Sequence, residues 1–320
     1  MALKVAIPED ITDVGKDFLK GKGYDIVIGD GKKDFESLKN LLIDADALIA
    51  RTASYPKKVL EVAPKLKVIS RFGVGLDNID VSYCTKKGIW LTITPEANSN
   101  AVAEHTIGFI VDSAHKITYM NNRVKLGDWE IRNQEKGRDI IGKTLGLIGL
   151  GRIGSVVAKK AVLGLEMKVI GYDEFLPVDK YPEYVTSAIS MEEVFSIADF
   201  VSIHVPATEK TRNMVNKDLL SKMKDTAVLI NCARGGIVNE KDLYDALKNS
   251  IIAWAAFDVL EKEPPSIDNP LLKLDNFTIT PHSGALTQET MDTMGLHAAM
   301  GVDDVLNGRM PKWPANYVKK

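Results

Sequence analysis

The chain of 320 residues carries a formal net charge of −2, with 45% hydrophobic and 26% charged residues, the composition of a folded globular protein rather than a disordered, collagen-like or coiled-coil chain. That length implies about two domains, because single cores rarely grow past roughly 250 residues. A near-neutral balance leaves no broad basic field, so neither nucleic acid nor an anionic membrane is an expected partner.

Short Val- and Ile-rich runs alternate with longer amphipathic segments as far as Pro281, the pattern of helices covering parallel sheets, so the fold class is α/β. The opening MALKVAIPED holds acid and lacks a long apolar core, which argues against a secretory leader. The first strand-like group is KVAIPED, DIVIGD, ALIAR, KVISR and IWLTIT. A long helix is then predicted from Ala101 to Lys116, with Asn98, Ser99 or Asn100 available as its cap. Its most apolar part, from Thr106 to Ala114, contains Asp112 and is too short to span a bilayer. The second strand-like group is LGLIGL, KVIGYD, FVSIHV, AVLINCA, WAAFDV and FTITP. A second long helix starts near Thr287, with Glu289 in its first turn, and stops near Asn307, where Gly308 and Pro311 follow.

Two doubly wound parallel sheets in succession, joined by two long helices, predict a discontinuous arrangement. Residues 1–98 and 287–320 form a flavodoxin-like substrate domain, and residues 99–286 form a Rossmann cofactor domain inserted into it. A ligand cleft is expected between them. The two cysteines, Cys84 and Cys232, are expected as free thiols of a reduced, cytoplasmic protein.

Gly149, Gly151 and Gly154 follow LGLIGL and open a helix near Ile153, so the weak G-x-G-x-x-G signal stands in the strand-turn-helix context that gives it meaning. Asp173 ends KVIGYD nineteen residues after Gly154, where an acid accepts both ribose hydroxyls of a dinucleotide. Glu174 follows and no Arg lies within the next five residues, so a 2′-phosphate meets two negative charges. The expected cofactor is therefore NAD and not NADP. No metal site is expected.

Arg51, His204, Arg234, Asp258 and His282 interrupt the ends of strand-like runs, and those ends form the ligand crevice of an open α/β sheet. Arg234, in NCARGGIV, stands just past a buried strand, where a buried guanidinium calls for an anion such as a substrate carboxylate. Hydride transfer at a carbonyl needs a proton donor beside the oxygen, and imidazole suits neutral pH. His282, at the end of FTITPH, is the candidate, and Glu263, in DVLEKEPP, is an acid able to orient and charge it. Spacing alone leaves that pairing open. His105, His115 and His297 fall in helical stretches and are assigned to structure.

RFGVGLDNID, GLGRIG, HVPATEKTRNMV, NCARGGIV, FDVLEKEPP and TPHSG occur in the order and spacing of the D-isomer-specific 2-hydroxyacid dehydrogenases, so the chain resembles that family over nearly its whole length, and within it the phosphoglycerate dehydrogenase-like members. The resemblance implies that Arg234 binds and polarises a 2-oxo acid, that His282 is the acid/base, and that Glu263 supports it. It implies a carboxylate cradle from the amides of Val74 and Gly75, with Arg51 and Asn98 nearby. Arg152 and Ile153 would meet the pyrophosphate, Asp173 the ribose, and His204, Pro206 and Thr211 the adenine side, while Cys232 and Asp258 would flank the nicotinamide. A homodimer packed through the cofactor domains is expected.

The substrate is a small 2-oxo or 2-hydroxy acid, either 3-phosphohydroxypyruvate, its phosphate met by Arg51, Lys57, Arg71 or Arg132, or hydroxypyruvate or glyoxylate. The chain stops soon after the returning helix, so a regulatory domain and serine feedback are not expected. PHSGALT departs from the usual PHIG or PHLG at Ser283. An NAD-sensing scaffold, like the transcriptional corepressors of this fold, is the alternative function. Formate dehydrogenases are disfavoured because they carry Gln where Glu263 stands.

Overall fold

The computed structural model describes residues 2–318. The chain divides into two compact units, one running to Asn98 and resuming at Leu286, the other Ser99–Ala285. The first unit contains β1 (Lys4–Ile7), α1 (Asp13–Gly21), β2 (Asp25–Ile28), α2 (Phe35–Leu42), β3 (Ala47–Ala50), α3 (Lys57–Leu60), β4 (Val68–Arg71), α4 (Val81–Lys87) and β5 (Trp90–Thr92). The second contains α5 (Ser99–His115), α6 (Ile117–Lys125), α7 (Ile131–Gln134), β6 (Thr144–Ile148), α8 (Arg152–Leu165), β7 (Lys168–Tyr172), β8 (Val185–Ser187), α9 (Met191–Ile197) and β9 (Phe200–Ile203). It continues through α10 (Lys217–Leu220), β10 (Val228–Asn231), α11 (Glu240–Lys248), β11 (Trp254–Phe257) and β12 (Phe277–Ile279), after which α12 (Gln288–Leu306) belongs to the first unit.

Both sheets are parallel throughout. The first has the order β2-β1-β3-β4-β5, the flavodoxin-like 2-1-3-4-5 winding. The second has the order β12-β11-β10-β9-β6-β7-β8, the Rossmann arrangement with one strand added at the end. Strands buried on both faces read as continuous apolar runs, and β3 (ALIA), β9 (FVSI) and β11 (WAAF) are buried at every position. The predicted strand runs all form strands. The sequence reading missed β8, an edge strand of three residues, Val-Thr-Ser, too short and too polar to register as a period.

In each sheet the winding reverses at one strand, and the crevice beyond its carboxyl end is the ligand position of open α/β folds. In the first unit that strand is β1, between β2 and β3; in the second it is β6, between β7 and β9. After α12, the segment around Trp313 returns along β5, with the amide of Ala315 donating to Leu91 at 2.8 Å and that of Ile93 donating to Trp313 at 3.1 Å. Among the described residues no helix is long and apolar enough to cross a membrane.

Candidate functional site

In the second unit, β6 runs straight into a glycine turn. Gly149 takes φ +95°, and a Cβ there would sit 2.7 Å from the carbonyl oxygen of His204; a Cβ on Gly154 would sit 2.1 Å from the carbonyl oxygen of Gly149. Only glycine allows that turn and that approach. A Cβ on Gly151, by contrast, would meet nothing within 4 Å, so this point of the turn faces open space. Gly151 is the N-cap of α8, which Arg152 and Ile153 open, and no side chain caps that end and no acid lies in its first turn. An uncapped helix start is a positive end suited to a pyrophosphate.

At the end of β7, the Asp173 carboxylate accepts the amides of Leu150 at 2.8 Å and of Phe175 and Leu176 at 2.9 Å each. Burial alone would raise this carboxyl, but the three amides outweigh it and hold the group below the ordinary range, so it is ionised at neutral pH. Two carboxylate oxygens offer about four acceptor positions. Three are taken, which leaves room for one ribose hydroxyl rather than the two expected. Glu174 beside it lies 3.9 Å from the ammonium of Lys210. That cation comes from a loop distant in sequence, so a search along the residues after Asp173 could not find it.

The end of β9 supplies His204. Its Nε2 pairs with Ser202 Oγ at 2.9 Å while Nδ1 is sealed from solvent with no partner. Burial pushes its pKa down to about 4, so the ring is neutral. Pro206 and Thr211 close one small loop, the Thr211 hydroxyl donating to the Pro206 carbonyl at 2.7 Å.

β10 delivers Cys232 and Arg234. The Cys232 thiol is buried and pushed up to about 12, which keeps it protonated, with Thr106 as its hydrogen-bond partner. Asn231, which the sequence reading passed over, pins the turn: its side chain donates to the Arg234 carbonyl at 2.9 Å and accepts from Ala233 at 3.0 Å. Arg234 itself is half-buried rather than buried, so the desolvation argument for an anionic partner is weaker than expected. Its guanidinium donates to the Ala233 carbonyl at 2.7 Å and contributes to holding Glu263 ionised.

The structure brings Glu263 and His282 together. Nδ1 of His282 lies 2.8 Å from Oε2 of Glu263, whose other oxygen accepts the Leu260 amide at 3.1 Å. Burial pushes the Glu263 carboxyl up, but the hydrogen bond and charge of His282, the Leu260 amide and the charge of Arg234 more than offset it and leave the group below the usual range. With Nδ1 turned to the carboxylate, Nε2 is the nitrogen left to exchange a proton.

His282 has φ +53°, an unusual backbone for a residue with a Cβ. Asp258, 3% exposed at the end of β11, holds it there. The Asp258 carbonyl accepts the His282 amide at 2.8 Å, its Oδ1 accepts Thr280 Oγ1 at 2.5 Å and the Ser283 amide at 2.8 Å, and its Oδ2 accepts the Gly284 amide at 2.9 Å. Ser283 therefore enters this turn through its backbone. Because the Thr280 hydroxyl donates to Asp258, His105 Nε2, 2.9 Å away, is the donor to Thr280. His105, assigned to structure on sequence grounds, is thus tied to the His282 turn through Thr280; its place on a helix far away in sequence hid this.

In the first unit, Arg51 follows β3 and the loop carrying Val74 and Gly75 follows β4, its neighbour in the sheet. The Arg51 guanidinium donates to the Asp10 carbonyl and lies 5.2 Å above the Phe72 ring. Asn98 is half-buried and directly precedes α5. Of the other proposed phosphate contacts, Arg71 is engaged with backbone carbonyls, Lys57 is 3.6 Å from Glu61, and Arg132 is exposed. Among the described residues, no group of three or more His, Cys, Asp or Glu could hold a metal ion.

A glycine turn at the switch point of a Rossmann sheet and an ionised acid at the next strand end define a dinucleotide-binding domain, with a carboxylate–imidazole pair at the carboxyl ends of the same sheet. The family model described as "D-isomer specific 2-hydroxyacid dehydrogenase, NAD binding domain" matches residues 107–284. The chain belongs to the D-isomer specific 2-hydroxyacid dehydrogenase family, and its second unit carries that family's NAD-binding domain. It is 44% identical to a D-3-phosphoglycerate dehydrogenase of Methanocaldococcus jannaschii, over 86% of this chain and 52% of that protein. It is 40% identical to a hydroxypyruvate reductase of Thermotoga maritima, over 82% of this chain and 85% of that one. The crystal structure of the TT0316 protein from Thermus thermophilus superimposes with a TM-score of 0.90 at 31% identity, covering 98% of this chain and all of that chain. The chain spans about half the length of the phosphoglycerate dehydrogenases it matches. The corepressor alternative finds no support among these relatives.

Proposed function

We propose that the protein interconverts a small D-2-hydroxy acid and its 2-oxo acid, using NAD. The observation that carries the reading is the 2.8 Å pairing of His282 Nδ1 with the ionised Glu263, on the same sheet edge as Arg234. The glycine turn, the start of α8 and Asp173 are the residues that would hold NAD, and the reduced cofactor supplies the hydride. In the second unit, Arg234 binds the carboxylate and polarises the 2-oxo group, and His282 delivers a proton from Nε2 to the developing alkoxide while Glu263 stabilises the imidazolium. In the reverse direction neutral His282 takes the hydroxyl proton. Neutral His204, with Pro206 and Thr211, would serve the adenine side of a bound NAD, and Cys232 and Asp258 would stand beside its nicotinamide. In the first unit, the amides of Val74 and Gly75, with Arg51 and Asn98, form a carboxylate cradle.

Relatives named for glyoxylate, hydroxypyruvate and phosphoglycerate chemistry support 2-oxo acids of two or three carbons as the substrate class. A panel of glyoxylate, hydroxypyruvate and 3-phosphohydroxypyruvate with NADH tests the reading. Turnover of at least one, with the D-hydroxy acid as product, supports it; no turnover of any, or an L product, overturns it.

We further propose a cytoplasmic homodimer. Both cysteines are free thiols, as in a reduced compartment. Helix α6 buries none of its residues, and Ile117, Val124, Leu126 and Trp129 are exposed along the segment that follows α5. A second copy covering this apolar face accounts for it.

A further inference from the structure

The loop after β4 is held through its carbonyls by Arg71 and Thr94. The Arg71 guanidinium donates through Nε to the Gly75 carbonyl at 2.8 Å and through Nη1 to the carbonyls of Phe72 at 2.6 Å and Ala50 at 3.3 Å. On its other flank the loop is fixed by Thr94, whose amide donates to the Gly73 carbonyl at 2.9 Å and whose Oγ1 accepts the Gly73 amide at 3.0 Å. Gly73 takes φ +135°, and a Cβ there would lie 3.3 Å from Arg71 Nη1.

A trans peptide is planar, with its N–H opposite its C=O. Pinning the Gly73 carbonyl to Thr94 therefore turns the Val74 amide away from Thr94. Pinning the Gly75 carbonyl to Arg71 turns the Leu76 amide away from Arg71. Among the described residues, the N–H groups of Val74, Gly75 and Leu76 donate to no acceptor, and Val74 is exposed. Successive backbone amides left open in this way make an anion-binding concavity.

We propose that Arg71 is a positioning residue for 2-oxo acid selection: its guanidinium does not contact the substrate but holds the Phe72 and Gly75 carbonyls inward, so that the amides of the 74–76 segment present a preformed nest for the substrate carboxylate. This rests on the functional reading above. Three of the five guanidinium N–H donors are committed to these carbonyls, which assigns Arg71 to the loop rather than to a substrate phosphate. Lysine keeps the charge but not the planar fork that reaches several carbonyls at once, so it restores the nest only in part.

The test is steady-state glyoxylate and hydroxypyruvate reduction by the full chain and by Arg71→Gln and Arg71→Lys, with oxamate inhibition and NADH affinity measured in parallel. Losing charge-assisted bonds that order the nest raises KM for the 2-oxo acid and the oxamate inhibition constant by about tenfold or more in Arg71→Gln. Arg71→Lys falls between parent and Arg71→Gln, while kcat and NADH affinity stay close to the parent values, a split that general loss of folding does not produce. If the parent turns over 2-oxo acids but both variants keep its KM and oxamate inhibition, the inference fails and the functional reading stands. A fall in kcat with KM unchanged also overturns the inference, since it places Arg71 in the transition state instead. Should Arg71→Gln not fold, a folded Arg71→Lys decides the matter by the same KM comparison. A parent that turns over no 2-oxo acid overturns the functional reading and the inference with it.

Discussion

Replacing Asp258 by Asn changes one buried atom and leaves the shape intact, yet the geometry around it forbids a neutral outcome. The carboxylate accepts from Thr280 and Ser283 on Oδ1 and from Gly284 on Oδ2. Whichever way an Asn amide is turned, its NH₂ faces a backbone N–H, that of Ser283 or that of Gly284, and neither can become an acceptor. One buried amide is left unsatisfied at about 1–3 kcal/mol, and the remaining bonds lose their charge assistance. The expected destabilisation is about 3 kcal/mol, which lowers Tm by roughly 6–12 °C for a unit of this size. The same bonds hold His282 at φ +53°, so its ring loses its placement beside Glu263, and a displacement near 1 Å costs on the order of a hundredfold in rate. Thermal unfolding and steady-state reduction of hydroxypyruvate on the same preparations measure both effects. An Asp258→Asn protein that melts with the parent and keeps its kcat shows that this carboxylate is not what holds the His282 turn.

Three further outcomes are expected. Glu263→Gln removes the carboxylate that pairs with His282 Nδ1, so turnover falls by on the order of tenfold or more in both directions with NADH affinity unchanged; a variant that keeps the parental rate contradicts the pairing. NADH is preferred over NADPH by at least about tenfold, some 1.4 kcal/mol, because a 2′-phosphate meets ionised Asp173; Lys210→Ala widens that preference by exposing Glu174 unneutralised, and a preference that does not change shows that Lys210 plays no part. Light scattering gives about twice the 35.2 kDa chain mass if the apolar face of α6 joins two copies, whereas a concentration-independent monomer rules the dimer out.

Periodicity made both sheets legible, because strands buried on two faces must be apolar runs and glycine turns must follow a strand to matter. The chemistry at the strand ends was visible for the same reason: Arg234, Asp258 and His282 interrupt apolar runs where polarity has no packing role. What stayed hidden was contact between segments distant in sequence. Lys210 reaches Glu174 from another loop, and His105 reaches the His282 turn from a helix whose period gives no hint of it. Asn231 pins the Arg234 turn by local hydrogen bonds that leave no periodic trace. Arg71 read as a possible phosphate ligand because sequence shows a charge but not the carbonyls that occupy it, and Asp173 read as open to two hydroxyls because the amides folding back onto it cannot be seen in one dimension.

We propose that His282, paired with Glu263 on the NAD-binding unit, passes the proton in 2-oxo acid reduction. Single-turnover oxidation of bound NADH by glyoxylate or hydroxypyruvate, comparing parent with His282→Ala, tests it most directly. The expected result is a rate lower by on the order of a hundredfold or more in His282→Ala, with NADH affinity unchanged. A variant that binds NADH normally and oxidises it at the parental rate contradicts the account.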